Sequence, residues 1–574
     1  MPAATLRVRW LGTVPYREAW ALQRGLHERS VERTAAGGAP DDHLLLLEHP
    51  PTITAGRHAD PAHVLVDPER AGFDLVDVDR GGDVTYHGPG QLVAYPLVGL
   101  PGKGGGNLPD TPAWVCLLEQ VLIEVVRDAG VESVGRLPGF PGVWVDPDGR
   151  HPRKIAAVGV RIAGGRTMHG VALNVDPDLE HFGAIVPCGI SEHGVTSLAA
   201  EGVALDLHAV VDSFVERFVA AWSPVDWERA DVVWRPAFDD TDLSEFSRTG
   251  GDGGHDAGST SVRLVGRLAR AGVSGGVGLR ERKPEWMRAP VRHDRAVLAT
   301  RRTVDELSLV TVCEEAGCPN LSECWSEGTA TFMVCGERCT RACGFCLVDT
   351  RHPEPLDATE PERVAEAVSR MALDHVVVTM VARDDLSDGG ADHVARTVRA
   401  VRERSPGCTV EVLISDLRGD AAALDVVLAA RPEVVNHNVE TVPRLQRAVR
   451  PSAGYARSLA VLARSAGSGA VTKSGLVVGM GEELEEIHAT LADLVAVGVQ
   501  IVTIGQYLRP TSRHLPVARW WTPEEFESFA RVGLDLGLAH VESSPFTRSS
   551  HHAAESYRAS LGRVAEQRWS TSWA

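Results

Sequence analysis

Residues Thr311 to Cys346 read TVCEEAGCPNLSECWSEGTATFMVCGERCTRACGFC. Cys339, Cys343 and Cys346 form C-x3-C-x2-C, and Cys313, Cys318 and Cys324 form C-x4-C-x5-C just upstream, so six thiols in two triads fall within thirty-four residues. Three thiolates are one short of a closed site. A structural zinc site takes four ligands, whereas a three-cysteine site leaves one metal position open for chemistry. The x3 and x2 spacings suit a loop wrapped round a 4Fe–4S cube with one iron free, and the paired C-x2-C units of a zinc ribbon are absent. Zinc and a disulfide framework are the alternatives. Ten cysteines in 574 residues are few for a disulfide scaffold and point to a reducing compartment.

At this length, with 44% hydrophobic residues, the chain can bury two or more cores. Its first residues, MPAATLRVRWLGTVPYREAW, hold no apolar run of the kind that targets or spans a membrane, so a cytoplasmic protein without membrane contact is expected. The net charge of -19 speaks against nucleic-acid binding, which needs a basic face. Only Lys103, Lys154, Lys283 and Lys473 are lysines among 58 basic residues. Where arginine serves almost every positive charge, a retained lysine points to an amine that must lose its proton.

From Leu6 to about Phe238 the pattern alternates between strand-like and helix-like runs: HLLLLEHPPTITAGR as a buried strand and loop, AWVCLLEQVLIEVVRDAG as an amphipathic helix closed by Gly130, IAAVGVRI and HGVALNV as strands. RGGDVTYHGPGQL, Arg80 to Leu92, is too rich in glycine and proline for a helix or a central strand, and reads as a loop whose backbone can approach a ligand closely. No G-K-[ST] follows, so it is not an ATP-binding P-loop. Lys154 and Cys188 are a second candidate pair: a thiol becomes a nucleophile when a nearby cation lowers its pKa, and lysine can serve as acid and base in turn.

Residues 239–279 are rich in Gly, Ser, Thr and Asp and read as a flexible linker, with a short helix near RLVGRLAR. Beyond the cysteines, DHVVVTM, TVEVLIS, EVVNHNVE, VTKSGLVVGM and GVQIVTIGQYL are apolar, β-branched runs separated by helix-like segments. This is the rhythm of a parallel β/α barrel, complete or partial, whose active residues lie just past the strands. Arg383, Asp384, Asp385, Asn436, Asn438, Glu440, Lys473, Gln506 and Arg509 are expected there.

These motifs carry two resemblances. RGGDVTYHGPGQLV, K-I-A-A-x-G-V-R, M-H-G-x-A-L-N-V and I-V-P-C-G-I are similar to octanoyltransferase, of the biotin/lipoate protein ligase-like α/β fold. The resemblance implies transfer of an octanoyl group from octanoyl-acyl carrier protein to a lysine of lipoyl domains, those of 2-oxoacid dehydrogenases and the glycine cleavage H protein. It makes Cys188 the acyl-thioester nucleophile and Lys154 the residue that lowers its pKa. Arg80, Gly81, Gly82, Asp83, Val84, Thr85, Tyr86 and His87, with Ala157, Val158, Gly159, Gly170, Val171 and Ala172, would line the acyl site. The C-x3-C-x2-C triad resembles the radical S-adenosylmethionine (SAM) signature. With the upstream triad, VARDDLSDGG, NHNVETVPRL, TKSGLVVGMGE and RSSHHA, it resembles lipoyl synthase, on a partial TIM barrel.

That second resemblance implies two 4Fe–4S clusters and SAM, with an electron donor of ferredoxin or flavodoxin type. Cys339, Cys343 and Cys346 would hold the cluster that binds SAM, whose cleavage gives a 5′-deoxyadenosyl radical that attacks C6 and C8 of the octanoyl chain. Cys313, Cys318 and Cys324, with Ser550, would hold an auxiliary cluster that supplies sulfur. Arg383, Asn438, Glu440 and Lys473 are the expected SAM contacts. Two positions depart from the pattern: Cys335 stands where a small or apolar residue is usual, as an idle thiol or a rival ligand, and His551 stands where the motif has tyrosine.

The expected organisation is an octanoyltransferase over 1–238, a linker over 239–279 and a lipoyl synthase over 280–574. The alternatives are an ATP-dependent acyl ligase for the first half, another radical SAM enzyme such as a methylthiotransferase or biotin synthase for the second, or a non-enzymatic iron–sulfur scaffold.

Overall fold

The computed structural model describes residues 5–38, 41–106, 108–190, 192–232, 264, 266–277, 281–287, 295–326 and 330–571. The chain divides into two compact units, Met1–Trp234 and Arg235–Ala574.

The first unit is built on a nine-stranded mixed sheet. The Leu44–Leu47 run lies in the strand Asp42–Glu48, where those four residues are at most 2% exposed, as a strand covered on both faces requires. It runs between Thr5–Thr13, parallel, and Gln91–Leu97, antiparallel. Next across the sheet come Arg166–Asn174 and Arg153–Ala163, antiparallel and in register from Arg166↔Ala163 to Leu173↔Ala156. Gly164 and Gly165 turn that hairpin with φ +58° and +75°, the positive pair a two-residue hairpin demands. The helix Thr111–Asp128 opens on Asp110, whose side chain accepts from Ala113 N–H, with Pro112 in its first turn. With the helix Leu207–Trp222 it buries Leu118, Val121, Leu122, Phe214 and Phe218 in the core against the sheet. A small sheet, Asp74–Asp77, Thr52–Ala55 and Val84–His87, carries the glycine-rich segment.

The second unit holds an eight-stranded sheet in strict chain order. Its first pair, Val310–Thr311 with Thr331–Val334, is antiparallel. From Thr331–Val334 through His375–Met380, Thr409–Leu413, Val434–Asn436, Val471–Val478, Ile501–Gln506 and His540–Ser543 each strand pairs in parallel with the next. A helix crosses over between successive strands, from Glu360–Arg370 to Pro523–Leu536. Among the described residues no pair closes the ring, so this is a partial barrel, as expected. Val310–Thr311, Thr331–Val334 and His540–Ser543 are strands the sequence pattern did not reveal, because each is at most four residues long.

Of the segment read as a linker, 239–263 lies outside the described residues. Its end is not free: Leu268 and Ala271 are buried, Arg444 donates to Ala271 O, and Val277 N–H donates to Val517 O at 2.7 Å. The apolar residues spaced through LVGRLARAGV give it a face to bury on the barrel, which the Gly and Ser around it obscured. Among the described residues no helix is long and apolar enough to cross a membrane.

Candidate active sites

In the first unit one cavity is lined by Arg80, Gly81, Gly82, Asp83, Thr85 and His87, by Ala157, Val158 and Gly159, and by Gly170, Val171 and Ala172. These are twelve of the fourteen expected acyl-site residues. Val84 and Tyr86 are the corrections: successive residues of the strand Val84–His87 face opposite ways, so these two pack with Ile53, Phe73 and Ile185 instead. Tyr16, Tyr95 and His169 complete the lining and were not foreseen. They come from segments far apart in sequence; the only signal was the histidine of the M-H-G motif.

A hydrogen-bonded shell orients this wall. His169, held at φ +58°, donates from Nε2 to Asp79 Oδ1 at 2.7 Å, leaving Nδ1 to face Tyr16 OH at 3.4 Å. That bond holds the Asp79 carboxyl down at about 2. His87 Nδ1 pairs with Gln91 Oε1 at 2.8 Å, and His49 Nε2 with Tyr95 OH at 2.7 Å. Burial draws His49 down to about 4 and His87 well below its ordinary value, and pushes Tyr16 up to about 12. At neutral pH the imidazoles and phenols are therefore uncharged, and with the small aliphatic residues they form a wall suited to an apolar chain. Arg80 is buried, with Nη2 donating to Thr54 O at 2.8 Å, so it braces the glycine loop from behind.

Lys154 is buried in the strand Arg153–Ala163, with Nζ 5.2 Å from the Trp144 ring centre. Gly142, at φ +120°, makes room for it: a Cβ there would meet Lys154 Cε at 2.8 Å and Ala156 O at 2.5 Å. Cys188 sits in the short 3-10 turn Pro187–Gly189, and its thiol lies outside the described side chains. The turn's backbone is nonetheless placed. Val186 N–H donates to His63 O at 2.8 Å, a Cβ on Gly189 would meet Asp83 Oδ2 at 2.8 Å, and Gly194–Val195 pairs with Arg153 and Lys154. The turn thus packs against Asp83 of the cavity wall, and the chain after it pairs with the strand that carries Lys154.

In the second unit the triad Cys339, Cys343, Cys346 follows the first parallel strand. Its loop is pinned to segments that follow three other strands: Thr340 N–H donates to Ala382 O, Gly344 N–H to Val449 O, and Leu515 N–H to Gly344 O. Arg341 N–H lies 3.4 Å from Cys339 Sγ, while its guanidinium pairs with both oxygens of Asp384 and with Asp416. Of the other triad, Cys313 and Cys324 ride on the short helices Val312–Glu315 and Leu321–Ser326, and Cys318 lies between them. Asn320 Nδ2 donates to Phe546 O at 2.7 Å and brings the RSSHHA turn to it. Arg548 of that turn interacts electrostatically with Cys318 and with Glu440, and Glu440 in turn with Cys343 and Cys346. Glu440 and Arg548 are each half-buried, and Asn438 Nδ2 donates to Ser549 Oγ of the same turn at 2.6 Å.

The donor sets fit iron–sulfur chemistry. All six cysteines are free thiols. Burial pushes Cys313 and Cys346 up to about 12 and raises Cys318 and Cys343, so these thiols do not ionise unaided at neutral pH; a cationic metal centre that displaces their protons suits them. Cys335 is the idle thiol of the two readings. It is fully buried at φ +70° in the core cluster of the barrel, beneath Gly390 and Met380.

The expected SAM contacts divide. Asn438 and Glu440 lie beyond the strand Val434–Asn436, joined by Asn438 Nδ2 to Glu440 Oε1 at 3.0 Å, and burial raises the Glu440 carboxyl. Arg383 is committed to Asp385 and to Cys335 O. Lys473 is committed to a carboxylate. It is the third residue of the strand Val471–Val478, fully buried, with Nζ 3.0 and 3.1 Å from the two Glu411 oxygens and Asn436 donating to the same carboxylate. It pairs in register with Asn436, the last residue of the neighbouring strand.

Residues 15–219 match the family model of the lipoyl protein ligase A/B catalytic domain, and residues 333–494 that of the radical SAM superfamily. The lipoyl synthase of Rubrobacter xylanophilus is 54% identical over 278 residues, covering 48% of this chain and 87% of that protein. That of Chlorobaculum parvum is 52% identical over 274 residues, 47% of this chain and 94% of the relative. Among solved structures, a bipartite lipoate protein ligase from Thermoplasma acidophilum aligns with a TM-score of 0.33 at 16% identity, covering 40% of this chain and 88% of that one. Methylornithine synthase aligns at 0.30 and 14%, covering 42% and 68%. The lipoyl synthase match falls on the C-terminal half, and a radical SAM lipoyl synthase implies iron–sulfur and SAM. The chain is thus an enzyme of lipoate biosynthesis, a transferase-type unit ahead of a sulfur-inserting one, and through that second unit it belongs to the lipoyl synthase family.

Proposed function

We propose that the two units act in succession on one lipoyl domain. The first transfers octanoyl from octanoyl-acyl carrier protein to the domain's lysine through a thioester on Cys188, and the second inserts sulfur at C6 and C8 to give lipoyl-lysine. In the first step Lys154 takes the Cys188 proton, the thiolate displaces the carrier thiol, and Lys154 returns the proton to that leaving thiol. Lys154 then takes a proton from the acceptor amine as it displaces Cys188. The neutral imidazoles, phenols and small aliphatic residues of the wall hold the chain, and backbone N–H groups of the glycine loop stabilise the oxyanion.

In the second unit Cys339, Cys343 and Cys346 would hold one 4Fe–4S cluster and Cys313, Cys318, Cys324 and Ser550 another. Bound SAM supplies a radical able to abstract hydrogen from an unactivated C–H bond. Glu440 and Asn438 contribute the polar contacts at the mouth, and Arg548 neutralises charge between the triads. The observation that carries the reading is that the RSSHHA turn is bonded on one side to Asn320 of the first cysteine stretch and on the other to Asn438 of a strand-end loop, since sulfur insertion needs a radical source and a sulfur source within reach of one chain. A ferredoxin or flavodoxin type of donor would supply electrons. In this reading the acyltransferase domain ends near residue 238, and the segment up to Leu264 is the connector.

The test is the intact mass of an unmodified lipoyl domain after anaerobic incubation with the cluster-loaded chain, octanoyl-acyl carrier protein, SAM and a strong reductant. A lipoyl-sized gain is expected. Cys188→Ser should give no gain at full iron content, and Cys324→Ala an octanoyl-sized gain with SAM cleavage retained. No gain with the unaltered chain sinks the reading.

A further inference from the structure

A cluster of side chains outside both triads has no part in this chemistry. The strand His540–Ser543 carries Glu542, and the turn eight residues further on carries His551 and His552. Glu542 Oε1 lies 3.2 Å from His552 Nδ1 and 4.0 Å from His551 Nδ1, and one ligand atom from each of the three residues lies within 4.8 Å of the others. Consecutive side chains in a strand point to opposite faces. Here His552 sits at φ +49°, and the two rings stack with centres 3.8 Å apart.

His551 is 7% exposed, and neither of its ring nitrogens has a hydrogen-bond partner among the described residues. Buried polar groups are normally satisfied, so such a ring points to a missing partner. The carboxylates divide around it: Glu542 lies on the Nδ1 side, and Glu323 Oε2 is 3.8 Å from Nε2. A cation held by the two imidazoles and Glu542 supplies the missing partner and leaves the other ring nitrogen of His551 turned to Glu323, the way a carboxylate orients a metal-bound histidine. The two separations from Glu542, 3.2 and 4.0 Å, bracket the edge of a tetrahedron with bonds of about 2.0–2.1 Å, which is about 3.3 Å.

We propose that Glu542, His551 and His552 form a binding site for a divalent d-block cation of the zinc class, with Glu323 orienting His551. Two imidazoles and one carboxylate suit zinc better than the all-oxygen preference of calcium or magnesium. The site would fasten the turn carrying Ser550 to the last barrel strand. It does not depend on the acyltransferase reading, and it uses a histidine that the RSSYHA-type motif does not supply.

The test uses the full-length chain with both triads loaded anaerobically with iron, so that cysteines do not take up the probe, dialysed against radioactive zinc. Expected is one tightly held zinc per chain, absent from Glu542→Gln and from His551→Tyr at unchanged iron content. Zinc uptake equal in the variants, or none in the unaltered chain, overturns the proposal. Should the variants lose iron as well, zinc-edge X-ray absorption on the unaltered chain decides. Nitrogen and oxygen neighbours at about 2.0–2.1 Å support the site, and sulfur at about 2.3 Å overturns it.

Discussion

Asn438 Nδ2 donates to Ser549 Oγ at 2.6 Å, across 111 residues of chain, and so ties the loop beyond the fourth parallel strand to the RSSHHA turn. The same nitrogen donates to Glu440 at 3.0 Å. The Asn438–Glu440 loop and the turn that carries Ser550 are therefore one hydrogen-bonded unit, and placement of Ser550 depends on a contact that no motif contains.

Removing that tie from the turn's side should loosen the second triad selectively. Ser549→Ala loses a bond of about 1 kcal/mol, so iron held by Cys313, Cys318 and Cys324 should pass to a chelator about fivefold faster. Iron at the other triad should leave at its original rate. Two-phase chelation kinetics read both, and equal rates in both phases would refute the coupling.

Lys473 and Glu411 form a buried pair, with His375 beside the carboxylate. Lys473→Met strands a charge that the pair's burial leaves without water, and should destabilise the second unit by about 3–5 kcal/mol, whereas Lys473→Met with Glu411→Leu should come close to the unaltered stability. SAM affinity of the double variant should be unchanged, because Lys473 and Glu411 spend their charges on each other. Denaturant midpoints and equilibrium SAM binding check the two halves of this prediction.

Gly142 tests the placement of Lys154. Gly142→Ala puts a methyl where Lys154 Cε and Ala156 O now stand, at a φ of +120° that alanine rarely adopts. A displacement of about 1 Å can lower a transfer rate about a hundredfold. Single-turnover acyl transfer should fall by that order while iron content stays unchanged; an unaltered rate would remove Lys154 from the reaction.

Asp79 sets a pH dependence. Its carboxyl is held at about 2 against an ordinary 3.8, mainly by the bond from His169. A depressed carboxyl stabilises the fold fully above the unfolded value and loses that contribution as pH falls through the folded one. The gap in denaturant midpoint between the unaltered chain and Asp79→Asn should therefore be constant above about pH 5 and close as pH falls from about 4 towards 2. A gap independent of pH would show that the His169 bond does not hold the charge.

The order of strands and helices in both units was legible because apolar, β-branched runs alternate with helix-period segments, and this local pattern survives in a single sequence. Cysteine spacing likewise marked both triads, since a loop wrapping a metal centre imposes fixed short intervals. Tertiary structure alone decided that Lys473 is buried against Glu411, that Cys335 lies in the core, that Tyr16, Tyr95 and His169 close the acyl cavity, and that Leu268 to Val277 docks on the barrel. The physical reason is common to all four. Each depends on the register and depth at which distant segments meet, and spacing along the chain does not encode the distance between residues brought together only by packing.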